Sequence, residues 1–259
     1  MSAAAFQNFR KENPAQIIPA GVMEVMEIRK IARIENRFIG KFGIPRQSGL
    51  ADTEEARIVF EPEYRNPDAL RGLEGYSHLW LLWEFSENGK EEGAWSPTVR
   101  PPRLGGNTRM GVFATRSPFR PNPIGLSSVR LVRIEYDTQE GPVLIVAGAD
   151  LMNGTPIYDV KPYLPYTDCH PDAKEGFAGA YTDYRLPVSF TEEAAGEAER
   201  LGMDEAMRQA LKEVLALDPR PAYQNDAERV YGMSYGVYEV GFSVSEEGIK
   251  VSNIRFRSV

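Results

Sequence analysis

The residues of this chain that could do chemistry fall into four stretches. Residues 42–50 read Phe-Gly-Ile-Pro-Arg-Gln-Ser-Gly-Leu. Glycine and proline there shape a fixed turn, with Pro45 locked in φ and Arg46 and Gln47 supplying donors at its tip. Residues 70–83 form a turn leading into an apolar strand, with the titratable group His78 at its mouth. Residues 99–127 interleave Arg100, Arg103, Arg109, Arg116 and Arg120 with prolines, glycines and Asn122. Rigid backbone beside planar guanidinium forks preorganises donors around an anionic or planar ligand. Residues 148–163 carry the Asn153-Gly154 turn, bracketed by Asp150 and Asp159, which could face a cation. Taken singly, the first, second and fourth stretches also read as a structured β-loop, a hydrogen-bonded histidine and a hairpin turn.

Charge separates the third stretch from the rest. The 259 residues carry a net charge of −7, which argues against a non-specific nucleic-acid coat. Yet the 42 residues between Glu92 and Glu135 contain no acid and seven arginines, the five above plus Arg130 and Arg133. None of these cations is lysine, and arginine is the side chain that grips phosphate bidentately and stacks on bases. Hydrophobic residues at 42% and charged residues at 26% describe an ordinary globular chain. No apolar run approaches the roughly 20 residues of a membrane span. The start of the chain lacks a basic and an apolar signal region, and Cys169 is the single cysteine, so a reducing cytoplasm is the expected compartment. With two histidines and one cysteine, a zinc site would need borrowed carboxylates, so no metal is expected. Neither a Walker A loop nor a G-x-G-x-x-G, G-x-S-x-G or H-E-x-x-H motif is present.

The elements that must position these residues are mostly short strands. Strand-like segments begin at Met26 and recur at 57–61, 79–85, 110–115, 128–136, 143–149 and 157–162, separated by Gly, Pro and Asn clusters. That spacing predicts a sheet closed into a barrel or a sandwich, and the lack of strand–helix alternation disfavours a doubly wound sheet. Six prolines between Ser96 and Pro123 predict a long ordered loop. Beyond Pro187, Thr191-Glu-Glu reads as a helix start, Met207 to Leu215 has helical spacing, and 237–244 with 249–256 reads as a hairpin. The expectation is therefore mainly β with an α+β appendage. It divides into an N-terminal extension (1–25), a β-barrel-like domain (26–188) and a small C-terminal α+β domain (189–259).

The four stretches, in this order, resemble the TrmO (YaeB-like) family of tRNA (adenine-N6)-methyltransferases. The resemblance is dense over residues 26–165 and resumes in Asp-Pro-Arg-Pro-Ala-Tyr at 218–223, and the 116–125 run is its most specific part. It implies S-adenosylmethionine bound on a β-barrel and methylation of threonylcarbamoyl-adenosine beside the anticodon of threonine tRNA. It also implies a homodimer with cofactor sites near the subunit contact. By position it implies cofactor contacts on Pro45, Arg46, Gln47, Phe85, Ser86, Arg116 and Leu126, and on the turn Asn153, Gly154, Thr155 and Pro156. RNA contacts are expected on Arg100, Arg103, Arg109, Arg120, Asn122 and Arg220. This chain has Phe85-Ser86 where family members carry Phe-His, and Asn153 where they carry Asp, which removes a charge at the turn.

Methyl transfer to N6 releases a proton, so a general base is expected among His78, Asp150 and Tyr158. The competing reading from another class is a non-catalytic, cofactor-sensing RNA-binding module on the same barrel. A phosphate-ester hydrolase with the arginines as anion clamp lacks an obvious nucleophile.

Overall fold

The computed structural model describes residues 26–87, 95–101, 108–181, 184–220, 226 and 229–258. The extension 1–25 and Arg103 lie outside them. Among the described residues, the chain up to Pro162 holds eight strands: β1 (Ala32–Glu35), β2 (Glu55–Phe60), β3 (His78–Glu84), β4 (Thr98–Val99), β5 (Met110–Gly111), β6 (Ile124–Glu135), β7 (Val143–Ala147) and β8 (Pro156–Pro162). Six of them close an antiparallel barrel in the order β1-β2-β7-β6-β3-β8, with β8 returning to β1. Closure leaves this sheet no unpaired edge.

Sequence alternation explains the closure. In β3, Leu79, Leu81 and Trp83 are buried while the residues between them are only partly so, the period of a strand with one face inward. β7 is buried at every position: Leu144 and Val146 join the barrel core, and Val143 and Ile145 pack with Val59 on the other face. Two bulges, at Leu82/Trp83 and at Leu131/Arg133, break the register and bend the wall.

A second layer follows: α1 (Pro165–Asp168), β9 (Val188–Phe190), α2 (Glu192–Arg200), α3 (Glu205–Ala216), β10 (Tyr231–Tyr235), β11 (Tyr238–Ser245) and β12 (Gly248–Phe256). Its sheet runs β10-β11-β12-β9, with β9 parallel to β12. Thr191 caps α2 by accepting from Ala194 N, and Asp204 caps α3 by accepting from Met207 N. The structure is thus mainly β with a closed barrel and few helices, as expected.

Three details differ from the expectation. The segment 26–31 is not strand, and β1 begins at Ala32. The segment 110–115 makes only the two-residue β5 before a 3-10 turn, Val112–Ala114. Thr115 Oγ1 and Arg120 both donate to Val112 O, which takes that carbonyl away from any ladder. Strands β9 and β10 were not anticipated, because one has three residues and the other is interrupted by Gly232. Among the described residues no helix is long and apolar enough to cross a membrane, and no group of three His, Cys, Asp or Glu could hold a metal.

Candidate functional site

The barrel rim opens into a cavity of about 450 Å³, within the usual size of a small-molecule site. Four connections build it. The β1–β2 loop contributes Lys41, Ile44, Pro45, Arg46 and Gln47; the end of β3 contributes Trp83 to Glu87. The proline-rich loop and the start of β6 add Arg116, Pro118, Arg120, Ile124, Gly125 and Leu126; the β7–β8 connection adds Asp150, Met152 and Thr155. Its walls are apolar at Ile44, Phe85, Ile124 and Leu126, and Leu126 is 53% exposed although it sits in a strand.

Polar groups converge on this apolar frame. Trp83 Nε1 donates to Ser127 Oγ at 2.9 Å, and Ser127 Oγ donates to Asp150 Oδ1 at 2.5 Å. Burial pushes the Asp150 carboxyl above its ordinary range, against the pull of the Ser127 hydroxyl, backbone N–H groups and the Arg116 charge. Arg116 Nη1 donates to Gln47 Oε1 at 2.5 Å and so ties the proline-rich loop to the β1–β2 loop. Arg120 is anchored by Thr115 O at 2.6 Å, with its guanidinium 5.8 Å from the Phe113 ring centroid. Such walls can hold a flat ring, the Asp150 carboxylate a cationic centre, and the guanidinium groups an acid.

Gly125 is what lets this network close. A Cβ there would lie 2.2 Å from the Trp83 indole, its register partner across β3 and β6. Gly125→Ala should therefore push the indole off Ser127 and cost about 1–3 kcal/mol of stability. Thermal melts check the cost, and loss of the buried-indole fluorescence signature checks the mechanism.

A second cavity, of about 720 Å³, adjoins the first and shares Gln47, Arg116 and Pro118 with it. Its lining includes Arg100, Arg109, Thr98, Phe119 and Phe177. Arg109 is braced by Thr98 Oγ1 at 3.1 Å.

The remaining sequence candidates are distributed as follows. Tyr158 reaches the rim through Glu84, donating to its Oε2 at 2.7 Å; burial and that carboxylate push its phenol up to about 12. A phenol at that value is no base at neutral pH, so Tyr158 orients Glu84 instead. His78 begins β3 and Glu84 ends it; at ~3.3 Å per residue, roughly 20 Å of strand separates His78 from the rim. There it meets Ser77 Oγ at 2.9 Å and the Tyr163 ring. Of the turn 153–156 only Thr155 lines the cavity. Asn153 Oδ1 accepts from Asn36 N, Gly154 N donates to Ile34 O, and Pro156 pairs with Arg33, so the turn braces β1. The Asn122 carbonyl accepts from Ile124 N and shapes the entry to β6. Arg220 donates through Nε to both Asp218 oxygens, at 2.9 and 3.1 Å, with little of its side chain exposed. Arg130 and Arg133 pair with Asp52, Glu55 and Glu135, as surface cations do. Asp159 pairs with Lys161 rather than facing a bound cation.

Sequence reasoning did not single out Ser127, Trp83, Lys41, Glu84 or Met152. Ser127 carried a usable signal: it lies in phase with Gly125 and Val129 on the buried face of β6, where an unpartnered hydroxyl is costly.

Comparison with known proteins gives consistent results. Residues 33–169 match the family model described as tRNA-methyltransferase O N-terminal domain, and residues 183–257 match the TrmO C-terminal domain. The tRNA (adenine(37)-N6)-methyltransferase of Escherichia coli (strain K12) is 42% identical over 236 residues, spanning 88% of this chain and 97% of that protein. A protein of Pyrococcus abyssi (strain GE5 / Orsay), named a probable S-adenosyl-L-methionine-binding protein, is 34% identical over 149 residues, 58% of this chain and 74% of its own. A crystal structure of TrmO from Pseudomonas aeruginosa superposes with a TM-score of 0.73 at 31% identity, covering 90% of this chain and 99% of that one.

Proposed function

The chain belongs to the TrmO family, and on that footing we propose that it methylates N6 of an adenine in tRNA with S-adenosylmethionine as donor. The finer reading is that the target is threonylcarbamoyl-adenosine beside the anticodon of threonine tRNA, and that the working unit is a homodimer. The observation that supports this most is the junction of two cavities at Gln47, Arg116 and Pro118. One is apolar with a buried carboxylate and suits the cofactor; the other is lined with arginines and suits an RNA loop. Exposed apolar side chains at Phe113, Ile124 and Leu126 supply surface for the second copy to cover.

When bound, S-adenosylmethionine supplies an electrophilic methyl group on a sulfonium. The cavity residues fit such a molecule: Phe85 and Leu126 would hold its planar ring, Asp150 would offset its positive charge, and Arg116 or Lys41 would receive its carboxylate. The chain's own task is to hold N6 in attack geometry and to exclude water. Arg100, Arg109 and Arg120 grip the anionic groups of the unstacked nucleotide. Asp150 takes the proton that leaves N6, and a carboxyl raised toward neutrality by burial is suited to that step.

The sign of the pH dependence follows. Because burial favours the protonated form of Asp150, its ionisation and the associated gain in rate fall above the ordinary Asp range as pH rises. Asp150→Asn should flatten that acidic limb and lower the rate about 10²-fold or more, as read from a pH profile of single-turnover methyl transfer.

The test of the function itself is a methylation assay with labelled S-adenosylmethionine on threonine tRNA with and without the threonylcarbamoyl group. Label in the modified tRNA alone supports the full reading. Label in both removes the requirement for prior modification. Cofactor binding without label in either RNA favours the cofactor-sensing, non-catalytic module.

A further inference from the structure

The tip of the loop that carries Pro45, Arg46 and Gln47 is packed against the C-terminal sheet. Phe38 and Ala51 are buried within the core of that sheet and its helices, and Phe42 and Ile44 pack on its edge. The Phe42 and Phe242 rings stack at 6.4 Å and 15°. Gly43 has φ +95°, and a Cβ on it would lie 2.2 Å from Met233 Sδ, so the loop backbone lies directly on β10. Gly236 N donates to Arg37 O at 2.8 Å, Arg185 donates to Leu50 O at 3.2 Å, and Glu213 Oε2 accepts from Thr53 N at 3.1 Å. Arg46 itself donates to Asp218 O at 3.2 Å. The barrel holds mainly the roots of the loop, through Asn153 N to Phe38 O and Gly49 N to Gly148 O, both at 2.8 Å.

We infer that the C-terminal sheet is the clamp that sets the cofactor loop, with Phe42 and its partner Phe242 as positioning residues for Arg46 and Gln47. The inference rests on reading the 450 Å³ cavity as the cofactor site. A loop of this length without its own secondary structure is held only where its side chains are buried. The burial of this one is supplied by a sheet that contributes no strand to the barrel. The role of the C-terminal unit in catalysis is therefore exerted through the loop: it fixes where Arg46 and Gln47 sit in the cavity wall before the cofactor arrives. Phe42 lies on the loop side of the contact and is only partly buried, so its removal leaves the C-terminal core intact.

The experiment compares the full chain with Phe42→Ala and Phe42→Leu by calorimetric titration of S-adenosylmethionine, steady-state kinetics on tRNA and hydrogen exchange of residues 36–52. Phe42→Ala should weaken cofactor binding about tenfold, with KM for tRNA and kcat at saturating cofactor within about twofold of the parent. Amide protection should fall in the loop alone, and Phe42→Leu should recover most of the affinity. Parental affinity and loop protection in Phe42→Ala would overturn the inference, as would a uniform loss of kcat, tRNA affinity and melting temperature. If the parent chain itself does not bind S-adenosylmethionine, the cofactor reading fails, while the exchange arm still decides whether Phe42 holds the loop.

Discussion

Arg116→Ala is expected to lower kcat/KM for tRNA methylation by about 10²–10³-fold, equivalent to about 2.7–4 kcal/mol of transition-state stabilisation, while the protein stays folded. The size follows from where the guanidinium sits. Arg116 lines both cavities, donates to Gln47 Oε1 at 2.5 Å and acts on Asp150 through its charge. Removing it at once loosens Gln47, deletes a bidentate anion donor and raises Asp150 further by withdrawing a favourable cation. Folding is spared because neither core cluster includes it. The melting temperature should shift by no more than about 2–4 °C. Arg116→Lys restores charge without the planar fork, so it should recover only a minor part of the rate. Full activity in Arg116→Ala would remove this residue from the site.

What could be read in the chain and what could not divide along physical lines. The barrel strands were legible because burial on one face writes a period of two, as in Leu79, Leu81 and Trp83. The run 116–126 and the turn 45–47 were legible because proline, glycine and arginine restrict backbone and chemistry locally. The structure gathers them at one rim, although about 70 residues separate Gln47 from Arg116. The turn at 153–154 reads as a ligand contact, and its small polar groups fit the β1 brace seen in the structure equally well. Nothing local distinguishes the two uses. Arg130 and Arg133 looked like the other arginines, and only the pairing of β6 with β7, and of β7 with β2, brings the acids at 52 and 55 beside them. Glu54 left no signal at all. In Thr-Glu-Glu it reads as an ordinary solvated acid, and its partner Tyr235 lies 181 residues away.

Glu54 supports the second large prediction. Its carboxylate is 1% exposed at the joint between the barrel and the C-terminal sheet, where it accepts from the Tyr235 hydroxyl and from Arg37 Nη1 at 3.1 Å. Glu54→Ala leaves the hydroxyl of Tyr235, itself fully buried, without an acceptor and opens a void at the joint. Arg37 keeps about a third of its side chain in solvent and rehydrates, so it adds little. An orphaned buried hydroxyl and a small cavity together cost about 2–4 kcal/mol, or a melting temperature lower by about 5–15 °C. Glu54→Gln keeps an acceptor and isolates the charge. Burial pushes the Glu54 carboxyl up, against the Arg37 charge and the Tyr235 hydroxyl. The folded chain therefore holds that proton to a higher pH than the unfolded chain does. Its stability falls as pH rises from the ordinary carboxylate value through the folded one, and Glu54→Gln should lack this fall. The advantage of the parent over Glu54→Gln should shrink with rising pH across that window. A melt of Glu54→Ala within 2 °C of the parent would show that the carboxylate does not hold the joint. Because Arg37 opens the β1–β2 loop and Glu54 closes it, Glu54→Ala should cost stability and cofactor affinity together, whereas Phe42→Ala, at the loop tip, should cost affinity alone. Finding the two losses coupled at the root and separated at the tip would distinguish a clamp acting on the cofactor loop from general weakening of the interface between barrel and sheet.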